Sequence, residues 1–309
     1  MIKDGIKSSG SDFVKLHGVE IDNTFAEAFE LWYSSFLITA INKKWAFEAA
    51  REATGFGTSM IGCSSEAGIE GFYSPVETPD GRPGVGVIIF AVRKKLETDL
   101  INRIGQCVLT SPTARVFAMG EGRESIDTGY KMKFFGDGYG EVRESYGREI
   151  IAVPIMMGEF EIERNLPVSK GVAGGNLIIL AQTQASALLA AEAAVETIDS
   201  VEGVITPFPG GIVGSGSKVG SKKYSFMHAT TNEKFCPTLK DKVEGSALSS
   251  EIGAVSEVVI DGISEDSVRR AMKTGIETAV KIQGVKKITA GNYGGTFGKV
   301  HIYLRDLFK

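Results

Sequence analysis

The sequence predicts an α+β protein built from two similar lobes, each ordered β-α-β-β-α-β, and three observations carry that reading. A strand–helix–strand pattern occurs twice in the second half of the chain, a looser version occurs in the first half, and a loop-rich stretch at 121–150 separates them. Apolar segments of period two alternating with segments of period 3.6 are what paired strands covered by helices require.

In chain order, the first lobe is expected over 17–155. FLITA (36–40) reads as a strand, NKKWAFEAAREATG (42–55) as a helix, and TSMIGC (58–63) completes that unit. TPDGRPG (78–84) is dense in turn residues. VGVIIF (85–90) then reads as a strand and KLETDLINRIGQCVL (95–109) as a helix. Within 121–150, FFGDGYG (134–140) carries two closely placed glycines, which favour a tight backbone path. That turn is either a substrate-contacting lid or a packed corner.

The second lobe is expected over 156–309, where residues 176–211 and 256–295 follow one plan. Each copy has an apolar strand, a polar loop, a helical segment, a Gly-Val step, a second strand and a Gly-Gly pair. In the second copy Ser264 stands as N-cap, with Glu265 and Asp266 in the first turn, where the helix dipole favours negative charge. Val268, Ala271, Met272, Gly275, Ile276 and Ala279 form one apolar face, and Lys281 and Gly284 mark the end. Four such units suggest two lobes of ferredoxin-like topology related by duplication. Helices would then cover one face of each sheet and leave the other for lobe or subunit contacts.

Composition narrows the function. With 34 Lys+Arg against 38 Asp+Glu there is no basic footprint for nucleic acid. The longest uncharged apolar run, near Gly84–Val92, is far short of the roughly 20 residues that a membrane span needs. The opening MIKDGIKSSGSDF lacks the apolar stretch of a secretory signal. Cys63, Cys107 and Cys236 are widely separated and odd in number, so a disulfide framework or zinc ribbon is not expected, and a cytoplasmic location is. The 38 glycines in 309 residues exceed the usual ~7% and call for turns or close backbone approaches.

Several motifs fail on spacing. GSGSKVGSK (214–222) matches neither GxGxxG nor GxxxxGK[ST], so a nucleotide loop is rejected. The same loop offers either backbone N–H groups with the Lys218 and Lys222 ammoniums to an anionic substrate tail, or merely solvated lysines. His17, His228 and His301 stand at no metal-ligand spacing, no GxSxG is present, and Cys107 reads as a core residue. No metal site is expected. One acid stands out: in VSEVVIDG (255–262), Glu257 sits at the centre of an apolar strand, with Val255 and Val259 on its face. Either it faces water from a half-exposed strand or it is held among valines for a chemical reason.

Specific strings go further than composition. DNTFAEAF (22–29), EATGFGTS (52–59), ETPDGRPG (77–84), RIGQCV (103–108), FFGDGY (134–139), GVAGGN (171–176), AAEAAV (190–195), PFPGGIV (207–213), SKVGSK (217–222), FCPT (235–238) and ITAGNYGG (288–295) occur in order. Together they resemble the formylmethanofuran:tetrahydromethanopterin N-formyltransferase family, from about His17 to the C-terminus. The polar residues 1–16 then stand as a flexible N-terminal extension.

The resemblance implies cytoplasmic, two-lobed subunits of ferredoxin-like topology that assemble into dimers and tetramers, with the active site near a subunit interface. It implies no tightly bound cofactor, and methanofuran and tetrahydromethanopterin (or a close pterin variant) as cosubstrates, between which a formyl group moves reversibly. The family's V-x-E-[IV]-V-I-[DN]-G strand matches here with Glu257 as the residue credited with catalysis. Candidate substrate contacts lie in the matched strings: Asn176, Phe208, Lys218, Lys222, Asp137 and Tyr139. A carboxylic acid that stays protonated near neutrality can donate to the oxyanion formed when a pterin nitrogen attacks a formamide carbon. The alternative is a non-catalytic or altered subunit of a formyltransferase/hydrolase complex, for which an acid held among valines would have no use.

Overall fold

β-Branched and aromatic runs build the strands, and polar caps start the helices. The structure, a computed structural model describing residues 14–309, opens with β1 (Val14–Leu16), β2 (Val19–Ile21), β3 (Phe25–Thr39), α1 (Lys43–Thr54), β4 (Glu66–Tyr73), β5 (Gly84–Ala91), α2 (Arg93–Arg103) and β6 (Arg115–Ala118). Then come β7 (Glu124–Ile126), α3 (Thr128–Lys133), β8 (Glu141–Ser145), β9 (Arg148–Ile155) and β10 (Gly158–Glu163). The remainder holds β11 (Leu166–Ala181), α4 (Gln184–Ile198), β12 (Val204–Ile205), β13 (Lys218–Val219), β14 (Ala229–Thr230), β15 (Ala254–Gly262), α5 (Glu265–Ala279), β16 (Val285–Thr289) and β17 (Val300–Tyr303). The chain divides into two units: a central unit, Leu31–Gly171, and a second unit that joins residues 14–30 to Val172–Lys309.

In the central unit the strand order is β4-β5-β3-β6, antiparallel throughout. β10 joins β6 in parallel, and β9 and β8 extend the sheet as hairpins. α1 and α2 cover one face. Ala46, Ala49, Ala50 and Ala53 of α1 and Leu96 and Leu100 of α2 pack against Phe36, Ile38, Val85, Val87 and Ile89. α1 begins where the Asn42 side chain accepts from the Trp45 N–H at 3.1 Å.

The second unit repeats the order. β11, α4, β12, β15, α5 and β16 come in that order, with the β13–β14 pair inserted between β12 and β15, and the sheet reads β12-β15-β11-β16, again antiparallel. β2 then adds to β16 in parallel, and β1 to β2. Leu177 and Ile179 of β11 and Val258 and Ile260 of β15 bury their side chains under α4 and α5. Each such burial is worth about 1.5–3 kcal/mol. Gly275 brings α5 close to its neighbours: a Cβ there would lie 2.9 Å from Ile198 and 3.1 Å from Leu177.

The capping of α5 is as the sequence indicates. Ser264 accepts from the Ser267 N–H at 3.1 Å, and every residue of the expected apolar face is buried. Both Gly-Gly pairs of the repeat adopt the left-handed conformation, Gly210 and Gly211 at φ 61° and 77° and Gly294 and Gly295 at φ 76° and 72°. A side chain at any of the four would be strained.

Four expectations are revised. TSMIGC (58–63) is a loop, and the strand after α1 is β4, which pairs with β5 over its whole length. The helix expected to 109 is regular only to Arg103; Ile104–Val108 is a π-turn, with the Leu109 N–H reaching the Ile104 carbonyl at 2.8 Å. The stretch 121–150 contains β7, α3 and β8 rather than loop alone. Residues 17–30, expected in the first lobe, pair with β16 and β17 instead, through Glu20–Lys287, Ile21–Ile288 and Ala28–Val300. Of the expected flexible extension, Val14–Leu16 form β1, and the rest lies outside the described residues. Among the described residues no helix is long and apolar enough to cross a membrane.

Candidate active site

β15 places Glu257. Its helix-side neighbours Ser256, Val258 and Ile260 are buried, whereas Val255, Glu257 and Val259 on the opposite face keep partial exposure. The strand is gripped on both sides at this residue. Glu257 stands opposite Ile178 of β11, and its N–H and carbonyl exchange hydrogen bonds with Val213 at 3.2 and 2.8 Å. Part of the same face is covered by the segment between β14 and β15, where Phe235, Leu248 and Ile252 pack with Ile178, Leu180 and Val255.

Glu257 is therefore reachable by solvent yet surrounded by protein. Burial is the cause that pushes its carboxyl up to about 7, because the charged form loses its hydration there. A group with that value is substantially protonated near neutrality and can donate a hydrogen bond.

Asn176 lies on the Glu257 face, two residues from Ile178 along β11 and opposite Val259. Its amide is occupied: Nδ2 donates to the Gly174 and Gly291 carbonyls at 3.1 and 3.2 Å, and Oδ1 accepts from the Gly291 N–H at 2.5 Å. Asn176 thus holds the loop that follows β16. Phe208 is half-buried in the turn between β12 and Val213, the residue that pairs with Glu257.

Lys218 and Lys222 are not the free cations that an anionic substrate tail would need. Both ammoniums reach Glu233, at 2.7 and 2.8 Å, and Lys218 also donates to Thr230 Oγ1 and the Thr231 carbonyl. The two lysines in turn hold the Glu233 carboxyl down at about 2. Asp137 and Tyr139 belong to the central unit, on an exposed turn where Asp137 (φ 47°) and Gly138 (φ 90°) are left-handed and the Tyr139 N–H bonds to the Gly136 carbonyl at 2.9 Å.

One acid was not singled out from the sequence. Glu27 of β3 is 1% exposed, and its carboxylate accepts four backbone N–H groups: Tyr293 and Gly295 at 2.6 and 2.9 Å, Phe297 and Gly298 at 2.6 and 2.7 Å. Burial alone would raise its pKa, but those four donors outweigh it and hold the group below the usual carboxylate range. The available signal was a glutamate within an apolar strand paired with a distant glycine-rich loop, GNYGGTFG. Among the described residues no group of three or more His, Cys, Asp or Glu is placed to hold a metal ion.

The fold and site together define a two-unit α/β protein whose candidate site centres on a partly accessible acid raised by burial. Residues 14–155 match the family model described as formylmethanofuran-tetrahydromethanopterin formyltransferase, and residues 158–307 match the model of its proximal lobe. The formyltransferase of that name from Methanothermus fervidus is 56% identical over 297 residues, covering 96% of this chain and all of the relative. The solved Methanosarcina barkeri enzyme superposes with a TM-score of 0.92 at 53% identity, over 95% of this chain and 100% of that one. A chain of the formyltransferase/hydrolase complex from Methylorubrum extorquens, solved with methylofuran, also gives 0.92, at 43% identity over 97% and 99% of the two chains. The chain belongs to the formylmethanofuran–tetrahydromethanopterin formyltransferase family, enzymes of one-carbon group transfer.

Proposed function

We propose that the chain transfers a formyl group reversibly between N-formylmethanofuran and N5 of tetrahydromethanopterin, or a close pterin variant, by direct attack in a ternary complex. The N5 lone pair forms a bond to the formyl carbon, and the carbonyl oxygen becomes an oxyanion. Glu257, as the neutral acid, donates to that oxygen. Collapse breaks the bond to the methanofuran nitrogen, which leaves as an amine carrying one proton while N5 gives one up. The observation that carries this reading is a carboxyl raised to about 7 on the helix-free face of β15. No covalent intermediate and no tightly bound cofactor enter the scheme.

The wider reading is a cytoplasmic homodimer or homotetramer with its methanofuran site near a subunit interface. Its two units are proposed as ferredoxin-like lobes related by duplication, since both run β-α-β-β-α-β with the same strand order. Phe208 is the proposed substrate contact nearest in connectivity to Glu257. Asp137 and Tyr139 are proposed contacts on the central unit by itself, and Lys222, 77% exposed, supplies charge only beyond what Glu233 neutralises. A purely docking subunit would leave the raised acid without a task. The test is the purified chain alone, without partner subunits, assayed for formyl transfer to a tetrahydropterin with its mass measured by light scattering. Transfer by an oligomer is expected. An inactive chain, or a fully active monomer, overturns the corresponding part.

A further inference from the structure

We propose that Glu27 is a positioning residue for formyl transfer: its carboxylate gathers the N–H groups of Tyr293, Gly295, Phe297 and Gly298 and so fixes the 290–298 loop as a wall of the Glu257 face, with Tyr293 and Phe297 offered to a planar ring of a coenzyme. The inference rests on the formyl-transfer reading.

Register carries the placement. Glu257, Ile178 and Thr289 stand opposite one another on β15, β11 and β16, so their side chains share one face. Two strand spacings separate Glu257 from Thr289, about 10 Å. The loop leaves β16 at that point and immediately crosses β11. A Cβ on Gly291 would lie 3.3 Å from Asn176 Oδ1 and 3.7 Å from Ile178 Cδ1, beside the residue opposite Glu257.

From there the loop has little side-chain packing to hold it. Gly294 and Gly295 are left-handed, and Asn292, Gly294, Thr296 and Phe297 are exposed. The Glu27 carboxylate replaces that missing support by accepting four backbone donors through its two oxygens. A second anchor is Asn292, whose amide donates to Thr24 Oγ1 at 2.9 Å. The result presents two aromatic rings, Tyr293 and Phe297, edge to face at 5.7 Å, with Phe297 63% exposed. The exposed Phe297 ring, set beside the half-buried Tyr293 ring on a backbone held this firmly, is a stacking surface prepared in advance.

The test is steady-state kinetics on Glu27→Gln and Phe297→Ala, with hydrogen exchange on the first. Glu27→Gln keeps the size but turns an amide N–H2 toward two N–H groups that need an acceptor. Exchange over 290–298 should quicken while the rest of the chain is unchanged. The KM for at least one coenzyme should rise about tenfold or more, with a smaller change in kcat, as loss of binding common to ground and transition states requires. Phe297→Ala removes only an exposed ring, so it folds regardless and should raise the same KM. Wild-type KM values in Phe297→Ala, or a Glu27→Gln enzyme that only loses kcat, overturn the proposal. If the unmodified chain does not transfer formyl at all, the functional reading falls instead, and unchanged exchange over 290–298 in Glu27→Gln then overturns the loop-fixing role separately.

Discussion

Asn176 and Gly291 are joined through both ends of one amide: the side-chain N–H2 donates to the Gly291 carbonyl and the side-chain oxygen accepts the Gly291 N–H. The pair ties β11 to the loop after β16 across 115 residues of sequence. It also places Asn176, on the same sheet face as Glu257, in the support of the site rather than in open contact with a ligand.

Asn176→Ala should therefore cost stability. Asn176 is 7% exposed, so the Gly291 N–H loses its partner in a place that water reaches poorly, while the Gly291 carbonyl keeps only the Glu27 N–H at 3.3 Å. Leaving such groups unpaired costs about 1–3 kcal/mol. Denaturant midpoints measure it. Asn176→Asp, which keeps the acceptor and loses the donor, should fall between. An unchanged midpoint for Asn176→Ala would mean that Glu27 and Asn292 hold the loop without it.

The ion pairs around Glu233 yield a second prediction. Lys218 and Lys222 hold this carboxyl at about 2, below its ordinary 4.5. A depressed acid contributes stability that is complete above the ordinary value and disappears as pH falls toward 2. With both lysines replaced by alanine, Glu233 should titrate near its ordinary value, as read by carboxyl NMR. Because Lys222 is 77% exposed, Lys218→Ala should move the titration further than Lys222→Ala.

Legibility followed the range of the interaction. α5 was readable because its cap, acidic first turn and apolar face all lie between Ser264 and Ala279. β15 was readable from alternation alone. β4 was not, since EAGIEGFY carries two glycines and two glutamates, and only pairing with β5 makes it a strand. The segment 17–30 looked like the start of the first lobe because the contacts Glu20–Lys287 and Ala28–Val300 span most of the sequence. In the site, Glu257 was legible as an acid in the wrong company. The Glu27 nest and the Lys218–Glu233–Lys222 group were not, because in each case the partners come together only through the fold.

A third prediction concerns stability against pH. Glu257 is raised from 4.5 to about 7, so the folded chain binds a proton there more tightly than the unfolded chain does. The sign is opposite to that of Glu233: the cost of ionising Glu257 is absent below 4.5, grows between 4.5 and 7, and is complete above. A shift of that size corresponds to about 3 kcal/mol. Glu257→Gln should match the wild type in acid and exceed it in Tm above pH 7. Equal Tm values across that window would place the carboxyl in solvent.

The last prediction joins that titration to catalysis. If Glu257 donates to the oxyanion, only its protonated form is competent, so the wild-type rate should fall as pH rises through about 7. Glu257→Gln keeps a neutral donor of the same shape, though a weaker acid, so it should retain more activity than Glu257→Ala and lose the alkaline decline. Glu257→Ala removes one oxyanion donor, which typically costs roughly 10²–10³ in turnover. The truncation lies on a face already partly open, between Val255 and Val259, so the chain should stay folded and keep its oligomeric state by size exclusion. A solvated strand glutamate would show none of this: both variants would transfer formyl at the wild-type rate with the wild-type pH profile. A glutamate acting as a base would give the reverse slope, with the rate rising through pH 7 and lost equally in both variants. The transfer rates of the three proteins across pH 5–9 separate these cases.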